Sequence, residues 1–343
     1  MLYEFENIIR EIDTVTMLAP KPTKFYKYGD RIANRMAHTS AIAMNPGIPS
    51  SCIEGEYSLM FVMCEFAKDL LLMNSLKGWK ERCATSVCWI DELLLNEMMN
   101  WKCFAKLIGQ FDHVILSCRQ GMDAVSSLIR GKCIFMPPAV DALLFSPYPN
   151  PKDRCIDVLS IGRKAEATHL KLVSMAKENR IFYVHDSSDG RHAVDPGQHR
   201  LLYANLAKRS KYFLVNPGKI DLPQFIGSEE LIGTRYFEGA ASGSVMIGKC
   251  PDNDDFRKCF GWPNPVLELS YNSDDIDKVI LAMDMQGERL EEIRKNNIVG
   301  ALRNHDWVHR WEVVLNLAGL DPLPALSERK KRLEELAVMA EKN

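Results

Sequence analysis

The sequence predicts an α/β protein built from two doubly wound domains that face each other across a cleft, followed by a helical tail. Three observations support this prediction. The chain has 343 residues, and a single hydrophobic core usually stops growing at roughly 250–300 residues. Short apolar strands alternate with segments of helical periodicity, which is typical of a parallel sheet with crossover helices. The alternation is interrupted at Phe145–Arg154, a proline-rich and polar stretch that favours a domain boundary.

The first domain is predicted over residues 1–147. It opens with an amphipathic helix at Leu2–Ile12 and a strand at Thr14–Leu18, followed by a mostly irregular stretch to about Ser51. After that stretch, apolar strands are predicted at Tyr57–Glu65, Cys83–Asp91, His113–Cys118 and Lys132–Met136.

The second domain is predicted over residues 148–320, where the alternation restarts. Its strands are predicted at Ile156–Ile161, Ile181–His185, Tyr212–Val215, Val245–Ile247 and Val266–Leu269. Its first helices are predicted at His169–Asn179, His199–Ser210 and Thr234–Ala241. From Ser273 the pattern is helical to the end, and residues 321–343 are assigned to a C-terminal helix that can pack back on the first domain.

Composition excludes several classes of function. Lys and Arg total 43 against 45 Asp and Glu, without a long run of one sign, so binding to nucleic acid is not expected. The most apolar stretch, Tyr57–Met73, contains three charged residues and is not expected to cross a bilayer. The start of the chain lacks the basic residues of a secretory signal, and the ten cysteines form no C-x-x-C pair. These features predict a cytoplasmic protein.

The clearest chemistry lies around the start of the predicted helix Thr234–Ala241. Glu230 and Glu238 are eight residues apart, and Gly233 stands where a loop would turn into the helix. The amides of the first helical turn, including that of Arg235, are expected to point at the cleft and to bind phosphate. A carboxylate can accept two hydrogen bonds from a vicinal diol. The pattern therefore predicts two sugar-binding acids flanking a diphosphate, with a solvent-facing helix and a plain loop as the alternative.

This block resembles the E-x7-E motif of the retaining group-1 type glycosyltransferases, Glu-x-x-Gly-x-x-x-x-Glu-Ala/Gly-x-Ala-x-Gly. The matching positions are Glu230, Gly233, Glu238, Gly239, Ala241 and Gly243. Met136–Pro147 is similar to the family's P-x-G-V-D-x-x-x-F-x-P segment, and Leu159–Arg163 to the Gly-Arg that ends the first strand of its donor-binding domain. The tail Asn304–Arg310 resembles a helix of a subgroup related to spore-maturation glycosyltransferases.

The resemblance implies the glycosyltransferase-B fold, in which two Rossmann-like domains face each other. The second domain would hold a nucleoside-diphosphate sugar and the first domain the acceptor. Carried over by position, Glu238 would bind the ribose hydroxyls, Glu230 the transferred sugar, and Arg163, after Gly162, the diphosphate. A guanidinium suits that last role because it can clamp a phosphate bidentately and offset charge on the leaving group; the alternative for Arg163 is a surface salt bridge.

The sequence departs from the family pattern in two ways that matter. Thr168 stands where the family has a lysine, so Lys164 or Lys171 is expected to make the second phosphate contact. The chain also opens on the Leu2–Ile12 helix instead of a strand and a Gly-rich loop. The first domain is therefore expected to be shortened or rearranged at its start.

Other candidate residues end predicted strands. Asp91 is expected either to orient or deprotonate an acceptor hydroxyl or to cap the following helix. His185 is expected either to contact the donor or to be a core histidine. Asn216 begins a loop whose backbone amides are expected to meet the nucleotide base. His305 and His309 lie one helical turn apart and are interpreted as core or capping histidines, not as metal ligands.

Taken together, the sequence predicts a metal-independent, retaining glycosyltransferase without a cofactor. It would move a sugar from a nucleoside diphosphate to a hydroxyl acceptor, which could be a saccharide, a lipid-linked molecule or a small molecule. The helix dipole and basic side chains are expected to neutralise the diphosphate in place of a divalent ion. A nucleotide-sugar epimerase and a noncatalytic nucleotide-sugar-binding module are the alternatives. The sequence leaves open the oligomeric state and any peripheral membrane contact.

Overall fold

The structure is a computed structural model that describes residues 2–93, 102–186 and 195–342. The strands of its first half are β1 (Ser51–Cys52), β2 (Tyr57–Phe66), β3 (Leu76–Lys77), β4 (Cys83–Glu92), β5 (His113–Leu116) and β6 (Cys133–Phe135). In the described part of this half, β2, β4, β5 and β6 form a parallel sheet in the order β2-β4-β5-β6, and β1 pairs with β3 separately. The central strand β4 carries the continuous buried run Ser86–Ile90, which is typical of a parallel strand covered on both faces.

The second half contains another parallel sheet. Its strands are β7 (Ile156–Ser160), β8 (Tyr183–His185), β9 (Ser210–Val215), β10 (Val245–Gly248) and β11 (Val266–Glu268). Among the described residues they are arranged in the order β11-β10-β9-β7-β8, and each neighbouring pair is parallel. The strands predicted after residue 56 are all present, with ends that differ from the prediction by two residues or fewer. The predicted two-sheet α/β class is therefore confirmed.

Helices cover both sheets and complete the chain. In the first half they are α1 (Leu2–Ile12), α2 (Tyr26–Thr39), α3 (Trp79–Arg82), α4 (Phe104–Ile108), α5 (Met122–Ser126) and α6 (Ala142–Phe145), with a 3-10 helix at Ala67–Ser75. In the second half they are α7 (Glu166–Lys177), α8 (Pro196–Lys208), α9 (Pro223–Ile226), α10 (Thr234–Ser242), α11 (Asp254–Cys259), α12 (Ile276–Asp284), α13 (Gly287–Asn304), α14 (Trp307–Ala318) and α15 (Pro324–Lys342). Within the described ranges, every helix is too short or too polar to span a membrane.

Two predictions for the first fifty residues are wrong. Thr14–Leu18 is not a strand, and most of its residues are exposed. A strand needs a neighbour for its backbone hydrogen bonds, and the contact of this segment with β2 is a side-chain one, between the hydroxyls of Thr16 and Tyr57 at 3.4 Å. The stretch expected to be irregular contains α2, whose buried positions include Ala33 and Ala37. The inner face of α2 is made of small residues, while its large apolar side chains, such as Tyr28 and Ile32, are exposed.

The terminal helices connect the two halves of the molecule. Trp307, in α14, stacks on Phe5 of α1 with ring centroids 4.8 Å apart and lies 5.8 Å from the ring of Trp89 in β4. The hydrophobic core around these rings is continuous from Ile115 in the first sheet to Phe213 in the second. The helix α15 packs on α13 and α1. The chain thus returns to the first sheet at α14, within residues 148–320, and the predicted domain boundaries stay predictions.

Candidate functional site

Loops that follow the strands of the second sheet meet at one edge, because all of its strand pairs are parallel. Along this edge, the loop after β10 comes first, followed by the loops after β9, β7 and β8. From the usual spacing of strands, the loop after β10 lies about 10 Å from the loop after β7. This edge holds most of the residues predicted to bind the donor.

The helix α10 begins at Thr234, as predicted, with Gly233 as its N-cap in an extended conformation. No side chain in the described part of the chain caps this end. A Cβ on Gly233 would lie 3.7 Å from the backbone nitrogen of Gly218, so the start of α10 lies beside the loop after β9. The backbone amides of the first turn, including that of Arg235, have no capping side chain among the described residues. Together with the helix dipole, they favour an anion at this position.

Glu230 lines a cavity between the two halves of the molecule. The cavity has a volume of about 470 Å³ and is bordered by Ser117, Arg119 and Phe135 of the first half and by Glu229, Glu230 and Lys249 of the second. The Glu230 carboxylate forms an ion pair with Lys249 and accepts a hydrogen bond of 2.6 Å from the amide of Asp252. This hydrogen-bonded pair raises the pKa of Lys249. The structure therefore places Glu230 in the cleft, just ahead of α10.

Glu238 is held in the interior. It is 2% exposed and forms ion pairs with Arg200 and Arg235, while the hydroxyl of Tyr203 donates to it at 2.7 Å. Burial alone would raise the pKa of Glu238, but the guanidinium groups of Arg235 and Arg200 lower it to about 2. The geometry thus gives Glu238 a structural ion pair, and the solvent-facing alternative is wrong. A contact between Glu238 and ribose hydroxyls stays a prediction.

This ion pair continues in both directions. Arg200 also pairs with Glu4 of α1, whose carboxylate accepts hydrogen bonds from the amide of Asp141 at 2.8 Å and from the indole of Trp307 at 2.7 Å. On the other side, Nε of Arg235 donates to the carbonyl of Ile161 at 3.1 Å. A buried polar network therefore links α1 to the loop that contains Gly162 and Arg163.

The loop after β7 is fixed by a carboxylate from the next strand. Gly162, whose φ is +91°, donates its amide to Asp186 at 3.0 Å, and Nζ of Lys164 lies 3.0 Å from the same carboxylate. Arg163 forms an ion pair of 2.9 Å with Asp221, in which both side chains are about 40% exposed. Lys171, the other substitute for the family's lysine, pairs with Asp277 in α12. A solvent-exposed pair such as Arg163–Asp221 contributes little stability and can exchange partners.

The remaining predicted donor contacts lie at the same edge. His185 ends β8 and is exposed, with Nδ1 3.1 Å from the carbonyl of Asp186, so the core alternative for it is wrong. The side-chain oxygen of Asn216 accepts a hydrogen bond of 3.2 Å from the amide of Lys249, and the amide of Gly218 donates to Leu231 at 2.9 Å. The loop after β9 therefore uses the Gly218 amide to hold the 228–232 segment. The predicted contact of this loop with a nucleotide base stays a prediction.

Asp91 is next to last in β4, at the carboxyl end of the first sheet. Burial, with the neighbouring charge of Glu92, raises its pKa to about 7, although a hydrogen bond from Ser117 opposes the shift. Ser117 also lines the interdomain cavity. A carboxyl group that titrates near neutral pH is suited to proton transfer. Its alternative role as the cap of the following helix falls on residues 94–101, outside the described residues.

Contacts across the cleft were not foreseen from the sequence. Arg119, after β5, forms a two-pronged ion pair with Asp255 of α11, and the amides of Arg119 and Gln120 donate to the Glu229 carboxylate at 2.6 and 3.3 Å. A second ion pair, between Lys219 and Glu92, also joins the two halves. The Arg119 guanidinium is thus neutralised by a carboxylate from the opposite half of the molecule.

Of the two histidines of the tail, His305 is buried and His309 is half-buried. His305 caps α13, and its Nε2 lies 2.8 Å from the carbonyl of Cys259. Burial lowers the pKa of His305 to about 3 and that of His309 to about 4. Among the described residues, no group of three or more His, Cys, Asp or Glu side chains is arranged to hold a metal ion.

No protein-family model matches the sequence, and no curated protein matches it. The architecture is similar to that of α,α-trehalose 6-phosphate synthase from Burkholderia multivorans, with a TM-score of 0.51 and 11% identity over 86% of this chain and 74% of that chain. It also resembles HepE from Anabaena in complex with UDP, with a TM-score of 0.49 and 12% identity over 76% of this chain and 79% of that chain. The chain has the glycosyltransferase-B fold. This finding confirms the fold that the resemblance implied.

Proposed function

We propose that this protein is a glycosyltransferase that takes a sugar from a nucleoside-diphosphate sugar and attaches it to a hydroxyl acceptor. The observation that carries the proposal is the position of Glu230, which stands in the interdomain cavity beside the uncapped start of α10. A carboxylate that can hold sugar hydroxyls lies there next to a site suited to phosphate. The glycosyltransferase-B fold supports the same function.

The donor is proposed to lie along the carboxyl edge of the second sheet. Its sugar would contact Glu230, and its diphosphate would bind the first-turn amides of α10, at Thr234 and Arg235. Arg163 would exchange Asp221 for a phosphate oxygen, which is feasible because their pair is exposed. The nucleoside would extend toward the loops that contain Asn216 and His185.

The proposed chemistry is stabilisation of the leaving group. As the bond from the sugar to the diphosphate breaks, negative charge develops on the departing oxygen, and the α10 terminus with Arg163 stabilises that charge. The acceptor oxygen forms the new bond from the same face, which retains the sugar's configuration. The acceptor's proton passes to a base, for which Asp91 is proposed because its pKa is about 7.

The assignment of Glu230 can be tested by activity. A panel of nucleoside-diphosphate sugars is incubated with the protein and candidate hydroxyl acceptors, and release of nucleoside diphosphate is measured. Glu230→Gln should lower turnover at least 100-fold, because a missing transition-state contact of about 3 kcal/mol has that effect. The melting temperature should stay within a few degrees of the parent protein. Glu335→Gln, on the exposed face of α15, is the matched control and should leave turnover unchanged.

Two outcomes would support the other candidate functions. Net conversion of the donor to its epimer, without any acceptor, would indicate an epimerase. Donor hydrolysis or transfer that survives both Glu230→Ala and Arg163→Ala unchanged would indicate that these residues are bystanders, as in a noncatalytic nucleotide-sugar-binding module. Turnover that persists unchanged in excess EDTA is expected for the proposed metal-independent reaction.

A further inference from the structure

The helix α2 lies against the first domain through small residues. Ala33 and Ala37 are fully buried, and a Cβ on Gly29 would come within 2.4 Å of the carbonyl oxygen of Pro46. These three positions are spaced by four residues, so they form one stripe along the helix. The backbone of α2 is therefore pressed close to the domain along this stripe, and the flank of the helix about 100° around from the stripe points outward.

The outward face carries large apolar side chains. Phe25, Tyr28 and Ile32 are 76%, 68% and 57% exposed, which places them among the most exposed large apolar residues in the described part of the chain. They fall within about one quarter of the helix circumference at 100° per residue. An apolar surface of this kind is unusual unless it is covered by a partner or a membrane.

Basic side chains border this apolar surface. Residues 17–44 contain five Lys or Arg and one Asp, a net charge of +4, in a chain whose net charge is −2. Among the described residues, none of the five forms an ion pair, and all are exposed: Lys21, Lys24, Lys27, Arg31 and Arg35. Positive charge is thus concentrated on the segment that also exposes aromatic and aliphatic side chains.

We propose that α2 binds the surface of an anionic lipid bilayer. The apolar side chains would enter the boundary between headgroups and acyl chains, and the basic side chains would pair with anionic headgroups, as in other interfacial amphipathic helices. Nucleic acid would use the positive charge but would leave the exposed Phe25 and Ile32 without an apolar environment. A membrane surface satisfies both features of the face.

The helix α2 lies near the interdomain cleft, which bears on the kind of acceptor that the protein uses. The helix α2 packs on the 3-10 helix Ala67–Ser75, which begins directly after Phe66. Asp69 accepts the amide of Phe66 at 2.9 Å, and the ring of Phe66 lies 5.7 Å from Nζ of Lys219 in the second domain. The anchor therefore lies at the rim of the interdomain cleft. If the proposed function holds, the acceptor is one that a bilayer presents, namely a lipid-linked hydroxyl compound.

Co-sedimentation with lipid vesicles tests the anchor without reference to activity. The full chain should pellet with vesicles of equal parts phosphatidylcholine and phosphatidylglycerol, and should bind vesicles of phosphatidylcholine alone at least tenfold more weakly. High salt should weaken the binding, because it screens charge at the membrane surface. Lys24→Ala should lower the affinity about fivefold. The combined variant Phe25→Ser, Tyr28→Ser and Ile32→Ser should lower it at least tenfold.

Matched variants separate this face from general surface effects. Met285→Ser removes an equally exposed apolar side chain just after α12, and Lys331→Ala removes an exposed charge from α15; both variants should bind vesicles like the parent protein. No binding to the anionic vesicles, or equal losses in the controls, would overturn the proposal. So would concentration-dependent dimerisation without lipid that the triple variant abolishes, because the face would then be an interface between copies. Turnover on a soluble acceptor should be the same in all of these variants, so failure of the anchor is distinguishable from failure of the proposed transferase.

Discussion

Glu230 and Glu238 belong to one sequence motif but have different environments. Glu230 lies in the cleft, where its carboxylate contacts Lys249 and the Asp252 amide. Glu238 is buried one turn into α10, where Arg200 and Arg235 neutralise it. Motif spacing indicated the helix terminus correctly, but it could not show which acid lies in the cleft. Glu230 is the proposed sugar contact. Glu238 holds Arg235, which donates to the loop after β7, and a contact of Glu238 with ribose stays a prediction.

The charge of Glu238 should contribute to folding stability. Its pKa is lowered in the folded protein, so its contribution is present above the ordinary value of 4.5 and is lost as the pH falls toward 2. Glu238→Gln should reduce the free energy of unfolding by about 3 kcal/mol at neutral pH, because it removes the carboxylate that pairs with Arg235 and one of the two that pair with Arg200. The measurement is urea unfolding of both proteins at neutral pH and at about pH 3, a value between the two pKa values.

The difference between the two proteins should shrink at the lower pH. Glu341→Gln removes a half-exposed partner of Arg303 and serves as the control, with an expected change of about 1 kcal/mol or less. A Glu238→Gln protein as stable as the parent, or a difference that is independent of pH, would contradict the buried ion pair.

The small residues of the motif have a structural role at the level of helix packing. A Cβ on Gly239 would come within 2.7 Å of the Met246 sulfur in β10, and one on Gly243 within 2.4 Å of Ile298 in α13. Gly243 also ends α10 in the left-handed conformation, with φ of +65°, which glycine adopts without steric cost. These small residues therefore let α10 pack closely against β10 and α13.

The contact between α11 and the loop after β5 should hold the two domains together. Asp255→Ala should release Arg119 and speed amide hydrogen exchange at residues 119 and 120, which donate to Glu229 across the cleft. Asp254→Ala is the matched control. Asp254 is the neighbour of Asp255, but its carboxylate is exposed and pairs with Arg257 in the same helix. Exchange measured by mass spectrometry should rise several-fold in the first variant and stay unchanged in the second.

Equal exchange at residues 119 and 120 in the parent protein and in Asp255→Ala would show that this ion pair does not hold the two domains together across the cleft. A rise in Asp254→Ala of the same size would attribute the effect to α11 as a whole. Either result would remove Arg119–Asp255 from the description of the cleft.

Across the whole molecule, the features that could be predicted from the sequence are those that a local pattern of residues encodes, such as strands and helix ends. The continuous apolar runs of β4 and β9, and the uncapped start of α10, are local features, and they were located within two residues. The ion pairs between segments that are distant in the sequence could not be predicted in this way. Glu4 and Arg200 are 196 residues apart, and Arg119 and Asp255 are 136 apart, so no periodicity or spacing relates them. The helix α2 was missed because its buried stripe is made of glycine and alanine.

The helix α1 has a physical role at this scale. It occupies the junction of the two sheets, where Phe5 packs between Trp89 and Trp307 and Glu4 reaches Arg200. This amphipathic helix therefore connects the first sheet to the second.

The most direct test of the central claim is a titration of the protein with nucleoside diphosphates and their sugar conjugates, followed by thermal unfolding. At least one nucleotide should bind, and at 100 times its dissociation constant it should stabilise the fold by about 2.7 kcal/mol. The conjugate should bind more tightly than the bare diphosphate, and Glu230→Gln should abolish that difference without weakening the bare diphosphate. If no nucleotide raises the melting temperature, or if Glu230→Gln leaves the preference for the conjugate intact, the proposed donor site is contradicted.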